Sequence, residues 1–191
     1  RMLHWARYVQ KDRLPPVYPI AYKHARAAHL PFKNETQRLV TSFGAFHYFA
    51  TPNTVMEFKR VLVPGGVVCI VHQTPREEDL FEVAWRSVVA GYIGSVPRRH
   101  KDEINYNPRL VVQLLRGGCF VKVKGRHIQH AERYTLEEAI ARVQSMTHWK
   151  SVPDTHKGEA VQRLCLAFEC IWKKKKNTID RLTDVLCILG T

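Results

Sequence analysis

The sequence is poor in several things that would mark other kinds of protein. Across its 191 residues no apolar run reaches the roughly 18 positions that a membrane-spanning helix needs. Nor does a charged, apolar and small-residue succession open it as a secretory signal would. A helical membrane protein is excluded, and a soluble, cytoplasmic protein with no membrane partner is expected. The five cysteines, Cys69, Cys119, Cys165, Cys170 and Cys187, are odd in number, far apart and set among apolar neighbours. That suits small buried thiols in a reducing compartment better than a disulfide framework. Ser42, Ser87 and Ser145 lack a Gly-x-Ser-x-Gly setting, so no nucleophile system is visible. Acidic residues are scarce as well: 17 Asp and Glu against 30 Lys and Arg leave a formal charge of +13. Such an excess attracts polyanions. The basic residues are spread along the chain rather than interleaved with aromatics in one motif, so charge alone speaks for a nucleic-acid partner.

What is present is enough for one sizeable core. Hydrophobic residues make up 45% of the chain, and domains run to roughly 100–200 residues, which predicts a single globular unit without internal repeats. Helical spacing of Leu3 and Ala6 predicts a helix over 2–10, broken at Pro15 and Pro16. Loose alternation predicts a strand over 17–24, followed by small residues over 25–28 and a turn at Leu30, Pro31 and Phe32. A buried strand is predicted over 38–43, running into a loop at Gly44. Thr51 and Pro52 form a strong helix start, since the hydroxyl caps free N–H groups and proline fits the first helical turn. Val55, Phe58 and Leu62 give that helix a core stripe until Pro64, Gly65 and Gly66 stop it. A buried strand over 67–71 follows.

The second half repeats the alternation. A helix over 79–93 carries Leu80, Val83, Ala84 and Val88, and Asn107 with Pro108 opens another that ends at Gly117 and Gly118. A strand nearer the sheet edge is predicted over 119–130. Thr135 and Glu138 form a capping box, and the helix they open runs through about Met146. A short helix over 159–164 and a last strand over 166–172 complete the fold. The lysines over 173–176 lead into a basic, weakly structured tail over 174–191. Alternating strands and helices predict an α/β, Rossmann-like three-layer sandwich with a mainly parallel sheet. Ligands in such sheets sit outside the carboxyl ends of the strands, which points to residues 25–28, 42–48 and 72–75.

The runs Leu30-Pro31-Phe32, Leu39-Val40-Thr41-Ser42, Ala45-Phe46-His47-Tyr48-Phe49 and Phe58-Lys59-Arg60-Val61-Leu62-Val63-Pro64-Gly65-Gly66 stand in one order at one spacing. Together they resemble the class I S-adenosylmethionine-dependent methyltransferases of the type 11 group. The stretch Ser145-Met146-Thr147-His148-Trp149 is also similar to the small-molecule branch that includes trans-aconitate methyltransferase-like proteins. The resemblance covers Met2 to about Lys173. It implies S-adenosylmethionine as cofactor and methyl transfer to a small molecule, with a carboxylate among the candidate acceptors. It places Arg26, Ala27, Ser42, Phe43 and His47 against the cofactor, and His47 near the reacting atoms as the catalytic candidate.

An imidazole at position 47 suits a general base near neutral pH, or a group that positions the loop by hydrogen bonding. Tyr48, Trp85, Tyr92 and Trp149 are candidates for an acceptor wall or for the core. With Arg1 ahead of Met2, the chain reads as a piece of something longer. The resemblance then implies that the first strands and their glycine-rich loop precede Arg1, and Gly65-Gly66 and Gly117-Gly118 are helix stops rather than replacements. Arg26 stands where the family has an Asp that accepts from the adenine amine, and an arginine has no acceptor to offer. Gln37 and Arg38 stand in place of the usual Phe-Asp. These departures support a second reading, an inactive methyltransferase-like fragment serving as scaffold or partner subunit. The histidines at 100, 127, 130, 148 and 156 make no metal site by spacing, because His127 and His130 fall on opposite faces of a strand. Arg98-Arg99-His100-Lys101 is a loop cluster that suits solvent or an anionic acceptor.

Overall fold

The computed structural model describes residues 20–76, 78–96, 107–172 and 178–191. The helix expected over 2–10, the basic cluster over 98–101 and the lysine run over 173–176 lie outside them. The described chain opens on irregular backbone from Ile20 to Ala25 and a tight turn from Arg26 to His29. The strand expected over 17–24 is therefore absent from its described part, where most side chains are exposed and no strand pairs.

Four strands and five helices follow: β1 (Gln37–Phe43), α1 (Pro52–Val61), β2 (Leu62–Pro75), α2 (Leu80–Ile93), α3 (Pro108–Gly117), β3 (Val123–Tyr134), α4 (Leu136–Gln144), α5 (Lys157–Ile171) and β4 (Ile179–Gly190). The sheet order is β1-β2-β4-β3. β1 and β2 pair in parallel, while β4 runs antiparallel to both β2 and β3. Three strands therefore point one way with a reversed strand inserted between the second and third. The expected α/β sandwich is present, with a sheet that is mostly rather than purely parallel.

Local chemistry starts the helices where the sequence predicts. Thr51 accepts from the Thr54 N–H at 3.2 Å with Pro52 behind it. Asp79 accepts from the Phe81 N–H at 3.1 Å at the start of α2. Asn107 does the same for α3, and both halves of the Thr135–Glu138 capping box are made at 3.2 and 2.8 Å. Each bond satisfies an N–H that the helix itself leaves without a partner.

Helix α1 and helix α3 cover one face of the sheet through Val55, Phe58, Val111 and Leu115, packed on Val68, Ile70 and Ile188. Helices α2, α4 and α5 cover the other face, joining Phe81, Trp85, Val143, Leu164 and Phe168 to Ile179. Gly118 lies hard against α1: a Cβ there would meet Val55 Cγ1 at 2.2 Å.

Several expectations are corrected. β1 lies at a sheet edge, with Leu39 55% and Phe43 67% exposed, so it is not buried. Helix α1 ends at Val61, and β2 runs for 14 residues rather than over 67–71, swelling where its pairing jumps from Gln37↔Leu62 to Leu39↔Val67. Helix α2 buries Phe81, Glu82, Trp85 and Val89; of the expected stripe, Ala84 and Val88 pack against the core while Leu80 and Val83 stand in solvent. The edge strand starts and ends about four residues later than predicted. The apolar run over 166–172 lies in helix α5, where Ala160, Leu164 and Phe168 repeat every four residues into the core. Most of the expected tail is strand β4, held on both sides by ladders. Among the described residues no helix is long and apolar enough to cross a membrane.

Candidate functional site

β1 and its parallel neighbour β2 end on the same side of the sheet, at Phe43 and Pro75. Gly44, at φ +57°, turns the chain out of β1 in a conformation that costs glycine least. Its N–H donates to the Val71 carbonyl at 2.9 Å. The turn delivers a short 3-10 segment, Phe46–Tyr48, over the end of β2. Phe46 is its anchor, 4% exposed and packed on the Phe49 and Phe58 rings. With Phe46 inward, the His47 ring stands 5.9 Å from His72, edge to face, and 3.9 Å from Tyr48.

A groove of about 520 Å³ opens there. One wall is Gly44, His47 and Tyr48, and the floor is His72 and Gln73. The opposite wall is Trp85 and Arg86 of α2 with Arg142, Met146 and His148 from the end of α4 and the turn after it. Under the floor, Arg181 is 4% exposed and Glu82 1% exposed, joined through Nε and Nη2 at 2.9 Å. Arg181 also donates to Glu132 at 2.7 Å, and Glu132 accepts from Tyr134 and Gln73. Burial pushes the Glu132 carboxyl up, but these donors outweigh it and hold it below the ordinary range. Glu82 further accepts from the Trp85 indole at 3.0 Å. Arg86 Nε also donates to Glu82, at 3.4 Å, so Arg86 and Arg181 share this carboxylate and Arg142 is left as the groove's excess positive charge. Arg142 has no carboxylate partner among the described residues and reaches only Ser145 Oγ, at 3.4 Å.

Behind His47 and His72, on the α1–α3 side of the sheet, is a second and mainly apolar cavity of about 270 Å³. Phe46, Ile70, Val111, Leu186 and Ile188 form its walls. Asp184 at its rim accepts from Arg76 at 3.1 Å and faces His127 Nε2 at 3.2 Å.

The two later stretches predicted from strand ends, 42–48 and 72–75, thus meet in one place. The first, 25–28, sits in a turn followed by Leu30, whose N–H donates to Glu57 of α1 at 2.6 Å. Ser42 is buried on the α1–α3 side and Phe43 points out on the other. Tyr48 and Trp85 line the groove, whereas Trp149 is core and Tyr92 packs against that core. His127 pairs with Leu186 and His130 with Thr183 along the ladder, on opposite faces as predicted. Arg86, Arg142 and Arg181 escaped the sequence reading. The available signal was Glu82, an acid one turn from Trp85 and Arg86 inside an apolar helix.

Residues 1–70 match the family model described as a methyltransferase domain. No curated protein sequence matches the chain. Among solved structures, the chain is similar to a candidate methyltransferase from Bacillus halodurans, with 19% identity, 98% of this chain and 77% of that one covered, and a TM-score of 0.51. It is also similar to a candidate type II methyltransferase from Anaeromyxobacter dehalogenans, with 14% identity, 89% and 70% covered, and a TM-score of 0.56. At such identities these likenesses speak for the fold alone, and the family model covers 70 of the 191 residues. Taken with the mostly parallel sheet and the groove at its strand ends, they give the chain the fold of solved methyltransferase structures, and its first 70 residues are similar to a methyltransferase domain.

Proposed function

We propose that the groove at the ends of β1 and β2 serves methyl transfer from S-adenosylmethionine to a small molecule, and that the acceptor is a carboxylate. The observation that carries this reading is the groove's charge. Arg86 and Arg181 share Glu82, while Arg142 has no carboxylate partner among the described residues, so the cleft holds more cation than acid, and a partly desolvated guanidinium pairs best with a planar carboxylate. A nucleic acid would call for a continuous basic track with stacking aromatics, and Tyr48 and Trp85 in one groove do not make one.

The residues present suit part of the cofactor. Gly44 leaves open space where a side chain would stand, Phe43 offers an exposed ring, and the groove's volume admits a methionine-sized end. We assign Ser42, Phe43 and His47 to that end, and Arg26 and Ala27 to the adenine side. When bound, S-adenosylmethionine supplies an electrophilic methyl group on a sulfonium. The chain's residues bring the acceptor into line and keep water out, the contribution that alignment makes to such transfers. A carboxylate is ionised near neutral pH and needs no base, so His47 acts as a donor that positions the acceptor.

Calorimetric titration with S-adenosylhomocysteine tests the reading. Binding that weakens at least tenfold on exchanging Gly44 for valine is expected. A flat titration together with no methyl transfer to any carboxylate would instead favour the scaffold reading, which Arg26 and Arg38 support.

A further inference from the structure

His47 and His72 line both the groove and the apolar cavity behind it, so the two spaces meet at these imidazoles. Given the methyltransferase reading of the groove, we infer that the cavity receives the hydrocarbon body of the acceptor, which makes the acceptor a compact apolar monocarboxylate rather than a polar metabolite. Three observations combine. The walls are mostly apolar, among them Phe46, Ile70, Val111 and Leu186, with Thr74, His127 and Asp184 the polar lining groups away from His47 and His72. Hydroxyls set against the apolar part would lose their water without gaining partners, and a second carboxylate would meet Asp184. The volume, about 270 Å³, exceeds the roughly 150 Å³ in which a benzene ring fits, so a six-membered ring with a short substituent is accommodated and a long acyl chain is not. Among the described residues, the cations near Asp184 at the rim, Arg76 and His127, are both held by it.

The acceptor is therefore oriented, with its body buried and its carboxylate between His47 and His72, facing the groove and its arginines. An oxygen lone pair then forms the new C–O bond to the methyl carbon as the S–C bond breaks. The electron pair stays on sulfur, leaving a neutral thioether and a methyl ester, and no proton moves.

The test measures binding of benzoate, benzyl alcohol and succinate to the full chain by calorimetry, beside a separate titration with S-adenosylhomocysteine. Benzoate is expected to bind at least tenfold more tightly than either competitor. Leu186→Phe, which fills a partly buried wall, is expected to weaken benzoate at least tenfold and leave the S-adenosylhomocysteine isotherm in place. Should that variant not fold, the ranking of the three ligands on the unaltered chain decides alone. Benzyl alcohol or succinate binding as well as benzoate overturns the inference. Bound S-adenosylhomocysteine without bound benzoate also overturns it while sparing the methyltransferase reading. The converse, benzoate bound in the expected ranking and no S-adenosylhomocysteine, upholds the cavity assignment and removes the methyl-transfer reading.

Discussion

Glu57 shows how much one carboxylate can hold. It accepts from the Leu30 N–H and from Arg60 Nε and Nη2, all at 2.6–2.7 Å, and so fastens the 26–30 turn to α1. The Arg60 guanidinium, with the Leu30 N–H, outweighs burial and draws the Glu57 carboxyl from the ordinary 4.5 down to about 2. Stability from this group is fully present above pH 4.5 and is lost as the pH falls toward 2. Glu57→Gln should cost about 1–3 kcal/mol at neutral pH, and the gap from the unaltered chain should close on acidification, as urea melts at several pH values would show. Gly118 presents the opposite case, a residue chosen for what it lacks. Gly118→Ala must push α3 off Val55, an overpacking cost of about 1–3 kcal/mol, read as a lowered denaturation midpoint with unchanged slope.

At the scale of elements, charged groups join the helices to the far strands. Asp79 caps α2 with one oxygen and accepts from the Leu182 N–H of β4 at 3.2 Å with the other. Arg181 ties β4 to Glu82 of α2 and Glu132 of β3. Removing Arg181 alone leaves Glu82, 1% exposed, with only the longer 3.4 Å contact to Arg86, and takes from Glu132 its cation as well. Arg181→Met is therefore expected to cost about 3–5 kcal/mol, and adding Glu82→Leu should return much of it; a double-mutant cycle in denaturant checks both. These links also explain what the sequence discloses. The starts of α1 to α4 were legible because a cap is written within four residues, as in Thr135 and Glu138. The end of α5 was not, since Leu166 to Trp172 is an apolar run short enough for either structure. β4 was misread because Arg181 breaks its apolar face, and the acids that satisfy it stand about 50 and 100 positions away. The groove shares that difficulty: residues 42–48 and 72–75 followed from strand ends, but Arg142 joins them only once α4 has packed against α5, which in turn packs against α2.

Across the whole molecule, β4 sits between β2 and β3 although it follows every other described element. Neither neighbour pairs with the other, so a chain ending after Trp172 should expose both edges and fail to fold, seen as lost near-ultraviolet circular dichroism and aggregation. During synthesis the same arrangement imposes a delay. The ribosome must release residues 179–190 before the sheet can close, while the groove's walls, already made, wait on opposite sides of a gap. A nascent chain of this protein is thus a client for whatever shields open strand edges, and the closing of its sheet is timed by the emergence of β4.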